Sequence, residues 1–162
     1  MYYINYFFIF SIIGHFIETF FVLNFTSGIL YGWWTPVYGF GVVLILLIKK
    51  IIDKLKLKGK LIFKILITYI ISMILLSLIE LIGGYLIKII FNQELWNYGK
   101  HKFNIGPYIS LEMANIWGIA SITVIYILKP LFDKIIYKIP KNITYGLTLL
   151  FLIDIIFTIL NK

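Results

Sequence analysis

Residues 65–91 read ILITYIISMILLSLIELIGGYLIKIIF, and within that run only Glu80 and Lys88 carry a charge. About 20 mostly apolar residues in helical form suffice to cross the hydrocarbon core of a bilayer. This stretch exceeds that length, so the solvent it calls for is lipid. The rest of the chain agrees. Hydrophobic residues make up 61% and charged residues 14%, against about 45–50% apolar and roughly 25% charged in a soluble domain. Mean hydropathy is +0.97.

Outward from this run, four further apolar stretches give spans at about 3–23, 36–52, 107–128 and 143–160. The expectation is an all-α polytopic membrane helix bundle of about five transmembrane helices in one membrane domain, residues 1–162. The second span is short. Pro36 and Pro107 stand where the second and fourth begin, and proline suits a first helical turn. The N-terminal stretch lacks a basic leader region and a small-residue cleavage site, and it holds Glu18. It reads as a retained span.

Lysine placement orients the bundle. Lys49, Lys50, Lys54, Lys56, Lys58, Lys60 and Lys64 fall in one connection, and Lys129, Lys134, Lys138 and Lys141 in another. Lys88, Lys100, Lys102 and Lys162 fall on the opposite side. Lysine-rich connections stay in the cytoplasm, which puts the N-terminus inside, the C-terminus outside and the protein in the cell membrane as a multi-pass chain. The net charge of +8 then reflects contact with anionic lipid. No nucleic-acid partner is expected, because so little aqueous face remains. The absence of cysteine excludes disulfides, thiol nucleophiles and cysteine-based zinc sites.

The stretches YGWWTPVYGFG (31–41) and LWNYGKHKFNIGPY (95–108) become outer loops. Tryptophan and tyrosine favour the interface, yet the glycines and prolines imply irregular backbone, which is tolerated near membrane depth only against protein or a wet cavity. Both loops therefore read as structured lids. The hairpins carrying them resemble one another weakly: a span with a glutamate, an aromatic loop, then Pro36-x-Tyr38 or Pro107-Tyr108.

Four carboxylates, Glu18, Glu80, Glu112 and Asp154, fall within the predicted spans, all in the outer half. A charge at the bilayer centre costs roughly 2.5–3.5 kcal/mol and normally faces a bundle interior. The clustering implies an outward acidic pocket under the loops. His15 lies three residues before Glu18 and Asn115 three after Glu112, so each pair shares a helix face. Tyr38, Trp96, Tyr98, Asn104 and Trp117 complete the candidate substrate-binding set. Ser110, Ala114 and Gly118 form a small-residue ridge suited to close helix packing in lipid, and Ser77 and Gly84 flank Glu80. No tight metal-ligand spacing and no GxSxG elbow occurs, so no metal, no cofactor and no catalytic residue is assigned. A hydrolytic site would rest on Ser110 with His101.

No GxxxxGK[ST] sequence is present, so any ATP-driven transport needs a separate ATPase subunit. It would dock on 49–60 and 129–142. In the latter, Leu131, Phe132, Ile135, Ile136 and Ile139 form an apolar stripe typical of an interfacial amphipathic helix.

Two blocks now place the chain beside a known family. GHFIETFFVLNFTSGILYGWWTPVYGFG carries Gly14, Glu18, Gly32, Pro36, Tyr38, Gly39, Phe40 and Gly41; ELIGGYLIKIIFNQELWNYGKHKFNIGPYISLEMANIWG carries Glu80, Gly84, Trp96, Tyr98, Phe103, Asn104, Trp117 and Gly118. In these positions the chain resembles the small bacterial membrane proteins grouped as ABC-transporter permeases of type IV. Asn97 and Gly99 stand where that family carries aspartate and serine. The resemblance implies a permease or substrate-capturing membrane subunit, working as a homo-oligomer or within a larger complex. The other readings are a membrane-embedded enzyme acting on lipid or envelope precursors, and a non-catalytic accessory subunit.

Overall fold

A computed structural model describes residues 1–22, 28–54 and 61–161. Lys56, Lys58, Lys60 and Lys162, used above to orient the chain, lie outside them. Helices dominate: α1 (Tyr2–Val22), α2 (Pro36–Lys54), α3 (Leu61–Phe91), α4 (Leu111–Thr123), α5 (Lys129–Ile136) and α6 (Lys141–Asn161). A two-stranded antiparallel hairpin, β1 (Asn104–Ile105) and β2 (Ile109–Ser110), precedes α4. Among the described residues four helical stretches are long and apolar enough to cross a membrane: 2–20, 61–91, 111–136 and 141–161. The short α2 is not among them, since Lys49, Lys50, Asp53 and Lys54 charge its last turns. At 1.5 Å per residue the 31-residue α3 is about 46 Å long, more than the roughly 30 Å of a bilayer's hydrocarbon core.

The helix starts divide the two proline expectations. Pro36 is the first residue of α2, as its fixed φ favours. Pro107 does not start α4. It sits in the hairpin turn behind Gly106, whose φ of +64° calls for glycine, and the helix begins four residues later. Ser110 is the N-cap there, extended at φ −138°, with its hydroxyl accepting the Met113 amide at 3.2 Å. The later start moves Glu112 into the first helical turn.

The 129–142 segment also differs from an isolated surface helix. A π-helical turn, Val124–Leu128, joins α4 to α5 without a break, and the Lys129 amide reaches back five residues to the Val124 carbonyl. Pro130 follows directly. A proline inside a helix lacks its N–H and presses on the carbonyl four residues back; a widened turn just ahead of it accommodates the ring.

Two compact units emerge: residues 1–43 with 132–162, and residues 44–131. The first is built on aromatic rings. Phe7 of α1 meets Phe40 and Phe151 edge-on at 4.9 and 5.3 Å, and Phe10 meets Phe132 at 5.2 Å. Thr144 of α6 donates to Asn5 of α1 at 2.6 Å, both fully buried. In the second unit, α3 packs against α4 along the small-residue ridge. Ser110, Ala114 and Ser121 are buried, and the Tyr69 ring occupies the space a Cβ at Gly118 would need. Isoleucines and leucines of α3 and α6 stay exposed, as lipid contact requires.

Candidate functional site

Each unit ties an aromatic loop to a carboxylate on an apolar helix. In the second unit that carboxylate is Glu80, 5% exposed in the middle of α3. Ser77 and Gly84, one turn either side, are buried with it. Its two oxygens are divided between two donors. Tyr98 from the loop donates its hydroxyl to Oε1 at 2.6 Å, and Trp117 from α4 donates its indole N–H to Oε2 at 2.9 Å. A single buried carboxylate thus holds α3, α4 and the loop between them.

The loop has its own backbone order. The Tyr98 amide bonds the Pro107 carbonyl at 2.7 Å, and the Leu111 amide bonds the Phe103 carbonyl at 2.8 Å. Asn104 donates to the Gly106 carbonyl across the hairpin turn at 3.1 Å. Trp96 meets Tyr108 at 6.2 Å, near-perpendicular, and its indole nitrogen is buried without a hydrogen-bond partner among the described residues. Outside the helix, Glu94 takes the Lys88 ammonium at 2.6 Å and the Asn97 amide at 3.1 Å. The Lys88 hydrogen bond, with Asn97 adding to it, holds the Glu94 carboxyl below its usual range. That tie is intact above the ordinary carboxylate pKa and weakens only as pH falls through the lowered value.

In the first unit the anchor is Asp154 of α6, which gathers the loop's donors from across the chain. The Tyr31 amide reaches Oδ1 at 3.1 Å; the Gly32 amide and the Trp34 indole reach Oδ2 at 2.9 and 2.7 Å. Thr158, one turn along α6, approaches Oδ1 at 3.5 Å. The loop closes onto α1 through the Thr35 amide and the Ser11 carbonyl at 3.0 Å. Tyr38, in the first turn of α2, lies against Gly14 and directs its hydroxyl to Glu18 one turn further along α1.

The other candidate residues fall into place around these anchors. His15 shares its face with Glu18, and its Nδ1 is buried without a partner among the described residues. Asn115 accepts from the Tyr69 hydroxyl and donates to the Leu111 carbonyl at 2.6 Å, bracing α3 against α4. Glu112, exposed in the first turn of α4, pairs with His101 of the loop. Glu18 and Asp154 therefore belong to one unit, and Glu80 and Glu112 to the other. Sequence reasoning placed Tyr31, Gly32 and Trp34 in a structured loop but did not pair them with Asp154, and it assigned no role to Tyr69 or to the Lys88–Glu94 pair.

Glycine makes the loop roots possible. A Cβ on Gly84 would lie 2.6 Å from the Tyr108 ring, whereas one on Gly83 would meet only Trp96, at an ordinary 3.8 Å. Overpacking a tight helix contact costs about 1–3 kcal/mol. Gly84→Ala is thus expected to lower the melting temperature in detergent, and Gly83→Ala to leave it nearly unchanged.

No curated protein and no solved structure matches the chain. A family model described as "Putative ABC-transporter type IV" matches residues 5–159. That span includes both aromatic loops and all four carboxylates. The chain belongs to this ABC-transporter-related family of membrane proteins.

Proposed function

We propose that the chain is a permease or substrate-capturing subunit of an ABC-type transporter, multi-pass in the cell membrane, with its aromatic loops outside and its N-terminus inside. The observation that carries this reading is the repeated device: in each unit an intramembrane carboxylate is capped by the indole of a tryptophan and by further donors from an aromatic loop. In lipid, a polar group of that kind is costly and marks a substrate or ion path. In the closed form the loop's own N–H and O–H groups fill the carboxylates. A cationic or hydroxyl-rich substrate offers the same kind of donors, so it exchanges with Tyr98 and Trp34 as the loops lift. The substrate-facing residues of the first unit are Glu18 and Asp154 with His15 and Tyr38, and those of the second are Glu80 and Glu112 with Asn115, Trp96, Tyr98, Asn104 and Trp117. Hydrolysis of ATP falls to a separate subunit docked on the cytoplasmic side at the lysine-rich connection that follows α2, and a homo-oligomer or larger complex completes the path.

A lipid-acting enzyme fits less well. Its one candidate nucleophile near His101 is Ser110, which is 1% exposed with its hydroxyl engaged as the α4 cap. Purification in mild detergent followed by native mass spectrometry tests the transporter reading. Retention of an ATPase subunit is expected; a bare homo-oligomer carrying only tightly held lipid contradicts it.

A further inference from the structure

Asp133 is the one acidic residue between 129 and 141. It faces inward, where the hydroxyls of Tyr2 and Tyr6 donate to its Oδ1 at 2.7 and 2.9 Å. Its neighbours on the outer side are therefore left unopposed. Lys134, Lys138 and Lys141 are exposed and form no ion pair among the described residues. Between them stand Ile135, 56% exposed, and Tyr137, 74% exposed, while Ile136 is buried and Phe132 packs on Phe10. By contrast, the lysines near the end of α2 include Lys49, which is paired with Asp53.

We infer that this ridge is a binding surface for anionic phospholipid. Three unopposed ammonium groups attract negatively charged headgroups, each contributing through a field that fades within a Debye length. The exposed isoleucine and the amphipathic tyrosine place apolar surface at the same level, which suits the headgroup–acyl boundary and not an aqueous protein contact. The two tyrosines of α1 have a specific part: by sequestering Asp133 they keep the ridge cationic. Of the two basic connections assigned above to ATPase docking, this one would face lipid. The binding itself is independent of the transporter reading, since it is measured on the isolated protein.

The test is native mass spectrometry of the purified chain in detergent, titrated with phosphatidylglycerol or phosphatidylcholine of equal acyl length. Phosphatidylglycerol is expected to be retained in preference. The triple change Lys134→Gln, Lys138→Gln, Lys141→Gln is expected to weaken that retention on the order of tenfold. Lys49→Gln, at an ammonium already paired with Asp53, should leave it nearly unaltered. Tyr2→Phe with Tyr6→Phe removes these two donors from Asp133 and should weaken retention, and adding Asp133→Asn should restore it. Equal retention of the two lipids overturns the inference, as does a preference that survives the triple change. Displacement of the lipid by millimolar inorganic phosphate would reduce the site to a phosphate site. Failure of Asp133→Asn to restore retention would remove the role given to the tyrosines.

Discussion

Asp154→Asn is expected to release the first aromatic loop and destabilise its unit by about 3 kcal/mol, seen as a lower melting temperature in detergent. The change is nearly isosteric, so the effect isolates hydrogen bonding. Asp154 faces four donors, two at each oxygen, and an ionised carboxylate accepts at both. Asparagine must aim its NH2 at one pair. If it replaces Oδ2, the Gly32 amide and the Trp34 indole lose their acceptor; if it replaces Oδ1, the Tyr31 amide and Thr158 do. A donor stranded in a low-dielectric setting costs more than the bond contributed. Intrinsic fluorescence should shift with the change, since Trp34 leaves its place between Phe8 and Phe151.

Glu80→Leu gives the second large effect, and its sign is diagnostic. Leucine is more favourable than glutamate in lipid by the insertion scale. If Glu80 were a tolerated burden, the substitution would stabilise the protein. As the anchor of Tyr98 and Trp117 it does the reverse: a hydroxyl and an indole N–H are both left without this acceptor beside a residue only 5% exposed. The expected loss is about 3 kcal/mol, at roughly 1–3 kcal/mol for each stranded group. Glu80→Gln keeps one acceptor oxygen and should fall between leucine and wild type. Thermal unfolding of the three proteins in one detergent ranks them.

These effects rest on contacts of very different visibility in the sequence. The apolar runs announce their helices because lipid forces every backbone group into internal hydrogen bonds. Lone carboxylates in those runs stand out for the same energetic reason. Their partners do not. Trp34 and Asp154 lie 120 residues apart and Trp117 and Glu80 lie 37 apart, and no local spacing encodes such a pairing. Proline is ambiguous in one direction only. Pro36 and Pro107 both precede tyrosine, but Gly106 turns the second into a hairpin, and the cap signal belongs to Ser110. That serine was legible as part of the small-residue ridge, and the ridge is buried; its second role as cap was not, because the expected helix began at Pro107 and enclosed it. The weak likeness between the hairpins acquires a physical content here. Tyr38 lies on Gly14 and Tyr108 on Gly84, each glycine one turn from a glutamate of its helix. The order is reversed, with the glycine ahead of Glu18 and behind Glu80, so the likeness lies in the device and not in a copied sequence.

Amide hydrogen exchange read by mass spectrometry on wild type, Asp154→Asn and Glu80→Gln tests the central claim most directly, because it reports each loop separately. In the wild type the Tyr31 and Gly32 amides and those of Tyr98 and His101 should exchange slowly, held by the bonds that close each loop. Asp154→Asn should speed exchange in 28–35 alone, and Glu80→Gln in 94–108 alone. Unchanged exchange in both variants, or an equal rise across both loops in either one, would contradict the account that each loop is held shut by its own carboxylate.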